Sequence, residues 1–155
     1  PITEFTLASG ASAKTLYYIR ANTGSVTLRA DSTGLTSGTK AVNVTVGSPT
    51  RMGVSAGSAQ LTASVCSPYT LSFYDVSNNV VPVAANTTVT LSSTVSDLEI
   101  FTDANCTSEA PTVFVPSGQS SQLLYFKAVT AGETGNFGAT ASGLTAESFA
   151  LEITP

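Results

Sequence analysis

The stretch Val42-Asn43-Val44-Thr45-Val46 alternates apolar and polar side chains at every position. Because successive side chains of a β-strand point to opposite faces of its sheet, this pattern predicts a strand with one buried face. The same alternation recurs along the chain, in residues 26–30, 61–65, 88–91 and 149–153. Turns rich in Gly, Asn, Ser and Pro separate these runs. The sequence therefore predicts an all-β fold built as an antiparallel sandwich or barrel.

The composition excludes several classes of function. The 155 residues include only six basic and ten acidic side chains, no His and no Trp, and 42% are hydrophobic. A net charge of −4 disfavours nucleic-acid binding, and the lack of His removes most hydrolytic triads and the commonest zinc ligand. No apolar run approaches the roughly 20 residues that a membrane helix needs. We therefore predict a non-enzymatic protein without catalytic residues, cofactor, nucleic-acid partner or membrane span.

An internal repeat organises the chain. Residues 5–46 match residues 113–154 in their turns and in the parity of their alternation. The segment from Ser9 to Tyr18 corresponds to the segment from Ser117 to Phe126, Gly24 corresponds to Gly132, and Gly34 corresponds to Gly143. Matches of this kind at one spacing are typical of tandem domains. We predict a complete repeat over residues 48–155 and, over residues 1–47, the second half of another. That half, with about four strands, would need completion by another segment or chain.

The charges are unevenly distributed along the chain. Residues 1–51 carry five basic and two acidic side chains, whereas residues 52–155 carry one basic and eight acidic ones, which divides the net −4 into +3 and −7. A basic head and an acidic body favour head-to-tail contacts that can extend into filaments. The alternative is that the asymmetry is simple drift in a chain with few charges.

Two cysteines, Cys66 and Cys106, lie in a chain that is poor in Lys and rich in Ser and Thr. An even number of cysteines in a sequence of this secreted type predicts a Cys66–Cys106 disulfide. The alternative is two buried free thiols.

The sequence resembles bacterial immunoglobulin-like repeats of extracellular surface and fibre proteins. The resemblance rests on Cys66 ahead of residues 69–73, and on residues 86–92, 101–107, 116–127 and 139–145. It implies a Greek-key immunoglobulin-like β-sandwich in a secreted multidomain or polymeric protein, acting as a spacer, stalk or adhesive unit. The chain departs from antibody-type domains because it has no Trp and no Tyr two residues before Cys106.

Four aromatic residues are the candidate interface: Tyr17, Tyr18, Tyr125 and Phe126. Within each neighbouring pair only one side chain can face the core, so the other is available to a partner. The alternative for these residues is ordinary, partly exposed surface tyrosines.

Two further hypotheses concern cations and glycans. Asp97, Glu99 and Asp103 could form a weak calcium site, although no dense acidic loop is present. The sequons at Asn43, Asn86 and Asn105 could accept glycans in a eukaryotic secretory protein.

These observations predict an extracellular structural module of a bacterial surface fibre, filament or stalk. The partners would be other copies of the chain, joined head-to-tail by strand donation, or neighbouring repeats of a larger protein, with a small preference for the filament. The rival hypothesis is an adhesin or carbohydrate-binding module that uses Tyr17 and Tyr18 or the 74–80 and 103–109 loops.

Overall fold

The computed structural model describes residues 4–56 and 59–155, so residues 1–3 of the predicted half-repeat and residues 57–58 of the predicted complete repeat lie outside the described residues. The chain divides into two compact units, residues 1–44 and residues 45–155, which we call the first unit and the second unit. The described residues form strands, turns and loops without a helix, which confirms the all-β prediction.

Eleven strands are present in the described residues. In chain order they are β1 (Gly24–Ala30), β2 (Gly38–Val44), β3 (Arg51–Ala56), β4 (Gln60–Thr62), β5 (Ser67–Tyr74), β6 (Thr87–Ser93), β7 (Glu99–Phe101), β8 (Thr112–Val115), β9 (Ser121–Lys127), β10 (Thr134–Thr140) and β11 (Glu147–Thr154). Their lengths of three to eight residues are ordinary for a small sandwich.

The described residues of the first unit, 4–44, contain a single antiparallel hairpin. β1 pairs with β2 from Gly24↔Val44 to Ala30↔Gly38. The sequence predicts about four strands in this part of the chain, but residues 4–23 form none. They do form a turn, in which the Ala11 N–H donates to the Ala8 carbonyl at 3.0 Å.

The second unit is a two-sheet sandwich. One sheet has the order β4-β11-β10-β6-β8 and the other has the order β3-β5-β9-β7. Neighbouring strands are antiparallel, with the exception of β11 and β4, which are parallel. Strands that follow one another in sequence often lie in different sheets, so this fold depends on pairing between distant residues.

The core of the second unit lies between the two sheets. Its apolar positions alternate with outward polar ones, as in β6, where Val89 and Leu91 are buried between exposed neighbours. Four aromatic rings pack at its centre, with Tyr69 stacked on Phe126 at a centroid distance of 4.1 Å and Phe137 lying 4.8 Å from Phe126. Each fully buried Leu, Val or Phe contributes about 1.5–3 kcal/mol relative to an exposed side chain.

The predicted Cys66–Cys106 disulfide is present. Cys66 immediately precedes β5 and Cys106 lies in the connection between β7 and β8, with their Cα atoms 6.0 Å apart. Cys106 has a φ of +51°, in the left-handed region that residues other than glycine rarely adopt. The disulfide therefore attaches the irregular connection between β7 and β8 to the start of β5, an inner strand of the β3-β5-β9-β7 sheet.

Candidate functional site

The four predicted interface residues have very different environments. Tyr17 and Tyr18, in the first unit, are 95% and 48% exposed. In β9, Phe126 is completely buried against Tyr69, whereas Tyr125 is partly buried. The prediction that only one residue of the Tyr125/Phe126 pair faces the core is confirmed. Phe126 belongs to the core, so including it among the surface candidates was wrong, because its side chain is inaccessible to a partner.

The 74–80 loop is organised around the buried carboxylate of Asp75. This carboxylate accepts hydrogen bonds from the backbone N–H groups of Gly47, Ser77 and Asn79 and from the Asn79 side-chain amide, at 2.9–3.1 Å. The Asn79 side chain has the largest effect and lowers the pKa of Asp75; burial opposes this, and the backbone donors lower the pKa further. These bonds occupy the carboxylate, so the residue acts as the structural centre of the loop.

A cation–π contact closes the outer side of the same loop. The Arg51 guanidinium lies 4.2 Å from the centre of the Tyr74 ring and donates to Asn78 Oδ1 at 2.8 Å. Asn78 has a φ of +64°, a left-handed conformation that Asn tolerates better than most residues. The sequence interpretation missed this arrangement. Its only signal was the Asp75-Val76-Ser77-Asn78-Asn79 run, in which Asx-turn residues cluster.

A second carboxylate organises the loop that contains Cys106. Asp103 accepts hydrogen bonds from the backbone N–H groups of Ser108 at 2.6 Å, Thr107 at 3.1 Å and Asn105 at 3.0 Å, and from the Thr107 hydroxyl at 3.0 Å. Burial raises the pKa of Asp103, but these hydrogen bonds together lower it to about 2. Asp103 is therefore ionised at neutral pH and satisfied by the loop itself.

The predicted calcium site receives no support. Asp97 Oδ2 accepts from the backbone N–H groups of Val129 at 3.0 Å and Thr130 at 2.7 Å, and hydrogen bonds from Thr130 and Val129 lower its pKa against the opposing effect of burial. The oxygens of Asp103 are bound within its own loop. In residues 4–56 and 59–155, no three His, Cys, Asp or Glu side chains gather as they would around a metal ion. A calcium ion needs six to eight oxygen ligands, which this end of the sandwich does not bring together.

The outer surface of the β4-β11-β10 sheet carries a shallow depression of about 430 Å³. Its lining residues are small or polar with the exception of Leu151, and they include Gln60, Thr134, Asn136 and Glu152. Gln60 Nε2 donates to Glu152 Oε2 at 3.1 Å across this surface. The depression has neither the aromatic wall nor the convergent charges that small-ligand sites commonly have.

The predicted glycan acceptors Asn43, Asn86 and Asn105 are all exposed. Asn86 Oδ1 accepts a hydrogen bond from the Ser117 backbone N–H at 2.9 Å. Asn105 lies next to the disulfide, in the loop bound by Asp103.

A set of exposed apolar residues in the first unit includes Tyr18, one of the predicted interface residues. Its members are exposed by 43–50% although their types are those of core residues: Phe5, Leu7, Leu16 and Tyr18. The signal was present in the repeat, since these positions correspond to Val113, Val115, Leu124 and Phe126. These four side chains of core type are therefore accessible in the first unit.

Comparison with solved structures shows the same architecture in other proteins. A β-glycosidase from Bacteroides vulgatus matches with a TM-score of 0.56 and 12% identity, over 84% of this chain and 17% of that one. A family 2 β-glucuronidase matches with a TM-score of 0.58 and 15% identity, over 86% of this chain and 14% of that one. The Yersinia pseudotuberculosis adhesin InvE matches with a TM-score of 0.51 and 15% identity, over 85% of this chain and 40% of that one.

These likenesses show the fold, an immunoglobulin-like β-sandwich. The chain spans about a sixth of the length of the two glycosidases. No protein-family model matches the sequence, and no curated protein matches it. In the part of the chain that the structure describes, no helix is long and apolar enough to cross a membrane.

Proposed function

We propose that this chain is a non-enzymatic, extracellular structural module that forms part of a bacterial surface stalk or fibre. The observation that carries the proposal is the Cys66–Cys106 disulfide, which joins residues 40 positions apart in a sandwich whose carboxylates serve its own loops. Structural disulfides persist in oxidising compartments and are rare in the cytosol.

The surface of the second unit supports a mechanical role. Its two irregular loops are each held by a carboxylate that accepts several hydrogen bonds, Asp75 in one and Asp103 in the other. Interstrand hydrogen bonds and a disulfide then leave few segments free to open. A module of this kind transmits load between its ends and presents a hydroxyl-rich side to its surroundings.

The compartment can be tested by trapping thiols in the native protein. Cells producing the full chain are lysed in the presence of a maleimide reagent, before and after reduction, and the mass of the protein is measured. We expect no labelled cysteine before reduction and two afterwards. The Cys66→Ser variant is the control, with one reactive thiol in both conditions. Two reactive thiols in the unreduced wild-type protein would contradict the proposal, as would antibody labelling that requires permeabilised cells.

The alternative is a carbohydrate- or host-surface-binding module. One observation favours it, namely the 95% exposure of Tyr17, because exposed aromatic rings provide stacking surfaces for sugars. Its test is a glycan array probed with the full chain and with the Tyr17→Ala variant, using Tyr125→Ala as the control. Binding that is lost only in Tyr17→Ala would favour the alternative over the structural module.

A further inference from the structure

The hairpin of the first unit has the same register as the last hairpin of the second unit. The Cα pairs of β10–β11 from Thr134↔Glu152 to Ala139↔Glu147 recur 109 residues earlier in β1–β2, from Ser25↔Asn43 to Ala30↔Gly38. The connecting turns also agree, because Leu35 N–H donates to Ser32 O at 3.2 Å and Leu144 N–H donates to Ala141 O at 3.3 Å. The first unit thus reproduces the only strand pair that the second half of the sandwich forms by itself.

The turn before the hairpin agrees as well. The Ala11 N–H donates to the Ala8 carbonyl at 3.0 Å, and the Gln119 N–H donates to the Pro116 carbonyl at 3.2 Å. The glycines of these turns, Gly10 and Gly118, have φ values of +83° and +89°. In the second unit this turn joins β8 to β9, whereas in the first unit no strand lies on either side of it.

The strands that the first unit lacks are those whose partners lie in the first half of a sandwich. β8 pairs with β6, and β9 lies between β5 and β7. By contrast, β10 and β11 pair with each other. Backbone N–H and C=O groups need partners, so a segment with strand pattern but no partner stays irregular.

The burial of equivalent residues distinguishes the first unit from the second unit in the same way. The positions equivalent to buried residues of β8 and β9 are exposed in the first unit, by 43% at Phe5 and Leu7, 50% at Leu16 and 48% at Tyr18. Their counterparts are 5% exposed at Val113 and fully buried at Val115, Leu124 and Phe126. Four positions that are buried in the second unit are therefore exposed in the first unit.

From these correspondences we infer that the first unit is the C-terminal half of a second immunoglobulin-like sandwich, completed by an N-terminal half-domain with the strand pattern of residues 49–111 from a neighbouring repeat of the same polypeptide. On completion, residues equivalent to β8 and β9 form strands and their apolar face becomes the core. This inference names the partner of the proposed structural module and rests on that proposal.

The number of half-domains argues against a second copy as the partner. Residues 4–155 include two C-terminal halves, 4–44 and 112–155, but one N-terminal half, 49–111, which already pairs with residues 112–155. Pairing two copies of residues 4–155 therefore leaves one C-terminal half per copy unmatched. A single donated strand is also insufficient, because β8, β9, β10 and β11 need the equivalents of β4, β5, β6 and β7.

The charges of the two kinds of half-domain in this chain are complementary. Residues 1–47 carry four basic and two acidic side chains, whereas residues 48–111 carry one basic and five acidic ones, giving net charges of +2 and −4. A half-domain with the composition of residues 48–111 would therefore attract the first unit.

One position requires the partner to differ in shape from residues 49–111. Val26 occupies the position of Gly135, where an added Cβ would lie 2.8 Å from Thr94 Oγ1 and 2.9 Å from Val95 Cγ2. The completing half-domain must therefore be wider at the point equivalent to Thr94. A test that uses residues 49–111 as the completing half-domain should therefore replace Val26 with Gly.

The extended protein has a second copy of residues 49–111 in place of residues 1–3, joined directly to Glu4, and carries Val26→Gly. This junction repeats the native connection of Pro111 to Thr112, since Glu4 is the equivalent of Thr112. Hydrogen exchange of the amides of residues 13–20 is compared with that in the 155-residue chain carrying the same Val26→Gly change. We expect these amides to exchange roughly 100-fold more slowly or better in the extended protein. Unchanged exchange would overturn the inference.

Two matched variants of the extended protein test the strand parity. Tyr18→Asp places a charge at the core position of Phe126 and should abolish the protection, whereas Ile19→Asp, at the outward position of Lys127, should retain it. Equal effects of the two variants would contradict a half-domain in this register. If protection of the same amides in the unextended chain rises with protein concentration, the partner is a second copy. That result would also overturn the inference.

The thiol-trapping result is independent of this exchange experiment. Protection of residues 13–20 together with free thiols would retain the half-domain and reject the extracellular role. Oxidised cysteines without protection of residues 13–20 would retain the extracellular role and reject the half-domain.

Discussion

Residues 4–44 and residues 112–154 share their turns, their hairpin register and their alternation, yet only the second segment is folded into a sandwich. Leu124 is fully buried in β9, while Leu16 at the equivalent position is half exposed and belongs to no strand. The difference is due to residues 51–101. They supply β5, β6 and β7 to the sandwich that contains residues 112–154, and these strands are already paired there. Strand pattern thus specifies which face a residue will occupy, and partner strands decide whether the strand exists.

Loss of the disulfide should have the largest effect, and it should act on only one side of this comparison. The Cys66→Ala/Cys106→Ala variant opens a loop of 40 residues, which we expect to lower the free energy of unfolding of the second unit by about 4 kcal/mol on the chain-entropy estimate. Urea unfolding followed by near-UV circular dichroism measures this change. Amide exchange in β1 and β2 should stay as it is, and faster exchange there would mean that the two units are energetically linked.

The equivalent leucines provide a direct test of partner dependence. Leu124→Ala removes a fully buried side chain from the core and should destabilise the second unit by about 3 kcal/mol, because it loses transfer energy and leaves a cavity. Leu16→Ala removes a half-exposed side chain and should leave the urea midpoint unchanged. Similar losses in the two variants would show that Leu16 already packs in a core.

Exchanging residues between the equivalent hairpins should have a smaller effect. Gly135→Val introduces the first unit's residue into the second unit, where its Cβ would meet Thr94 and Val95, and should cost about 1–3 kcal/mol through overpacking. Gly138→Ala is a milder control, because the atom that its Cβ would approach is the end of the Ser92 side chain. Differential scanning calorimetry of the two variants provides the comparison, and an unchanged melting temperature in Gly135→Val would disprove the close contact.

Acid should weaken the second unit, and by the smallest amount. Because Asp103 has a folded pKa of about 2, below its ordinary value of 3.8, its stabilising contribution is complete above about pH 4 and is lost as the pH falls toward 2. The pKa values of Asp75 and Asp97 are lowered in the same direction. Urea midpoints measured at pH 5 and pH 2 should therefore decrease with acid.

The Asp103→Asn variant is the control for the acid experiment. It should be less stable at pH 5 and should lose less stability between pH 5 and pH 2 than the wild-type chain. A wild-type midpoint that is constant over this interval would contradict the assignment of the Asp103 hydrogen bonds.

Much of the fold could be predicted because its signals are local. The alternation of Val89 and Leu91 with polar neighbours indicated a strand with one buried face, and burial agrees. The disulfide followed from the number of cysteines and the composition, without knowledge of the geometry. The parity of Tyr125 and Phe126 followed from strand period alone, but which of the two faces the core did not.

The site residues were harder to predict, because their roles depend on contacts between distant segments. Asp75 is held by Gly47, 28 residues away, and Asp97 by Thr130, 33 residues away. Neither contact has a signature in the local sequence. The calcium hypothesis failed because Asp97 and Asp103, although near each other in the sequence, do not come together as one set of ligands. The Asn-rich run after Asp75 was a local signal that could have been read as an Asx turn.

The sequence by itself determined the period-two pattern, the glycine turns and the identity of the two halves that resemble each other, because each depends on neighbours within a few residues. Only the tertiary structure decided which of those halves becomes part of a sandwich, that Phe126 and not Tyr125 is buried, and which carboxylates are satisfied. The physical reason is that a β-strand is stabilised by hydrogen bonds and side chains from other strands. A sequence pattern can prepare a strand for such partners, but it cannot replace them.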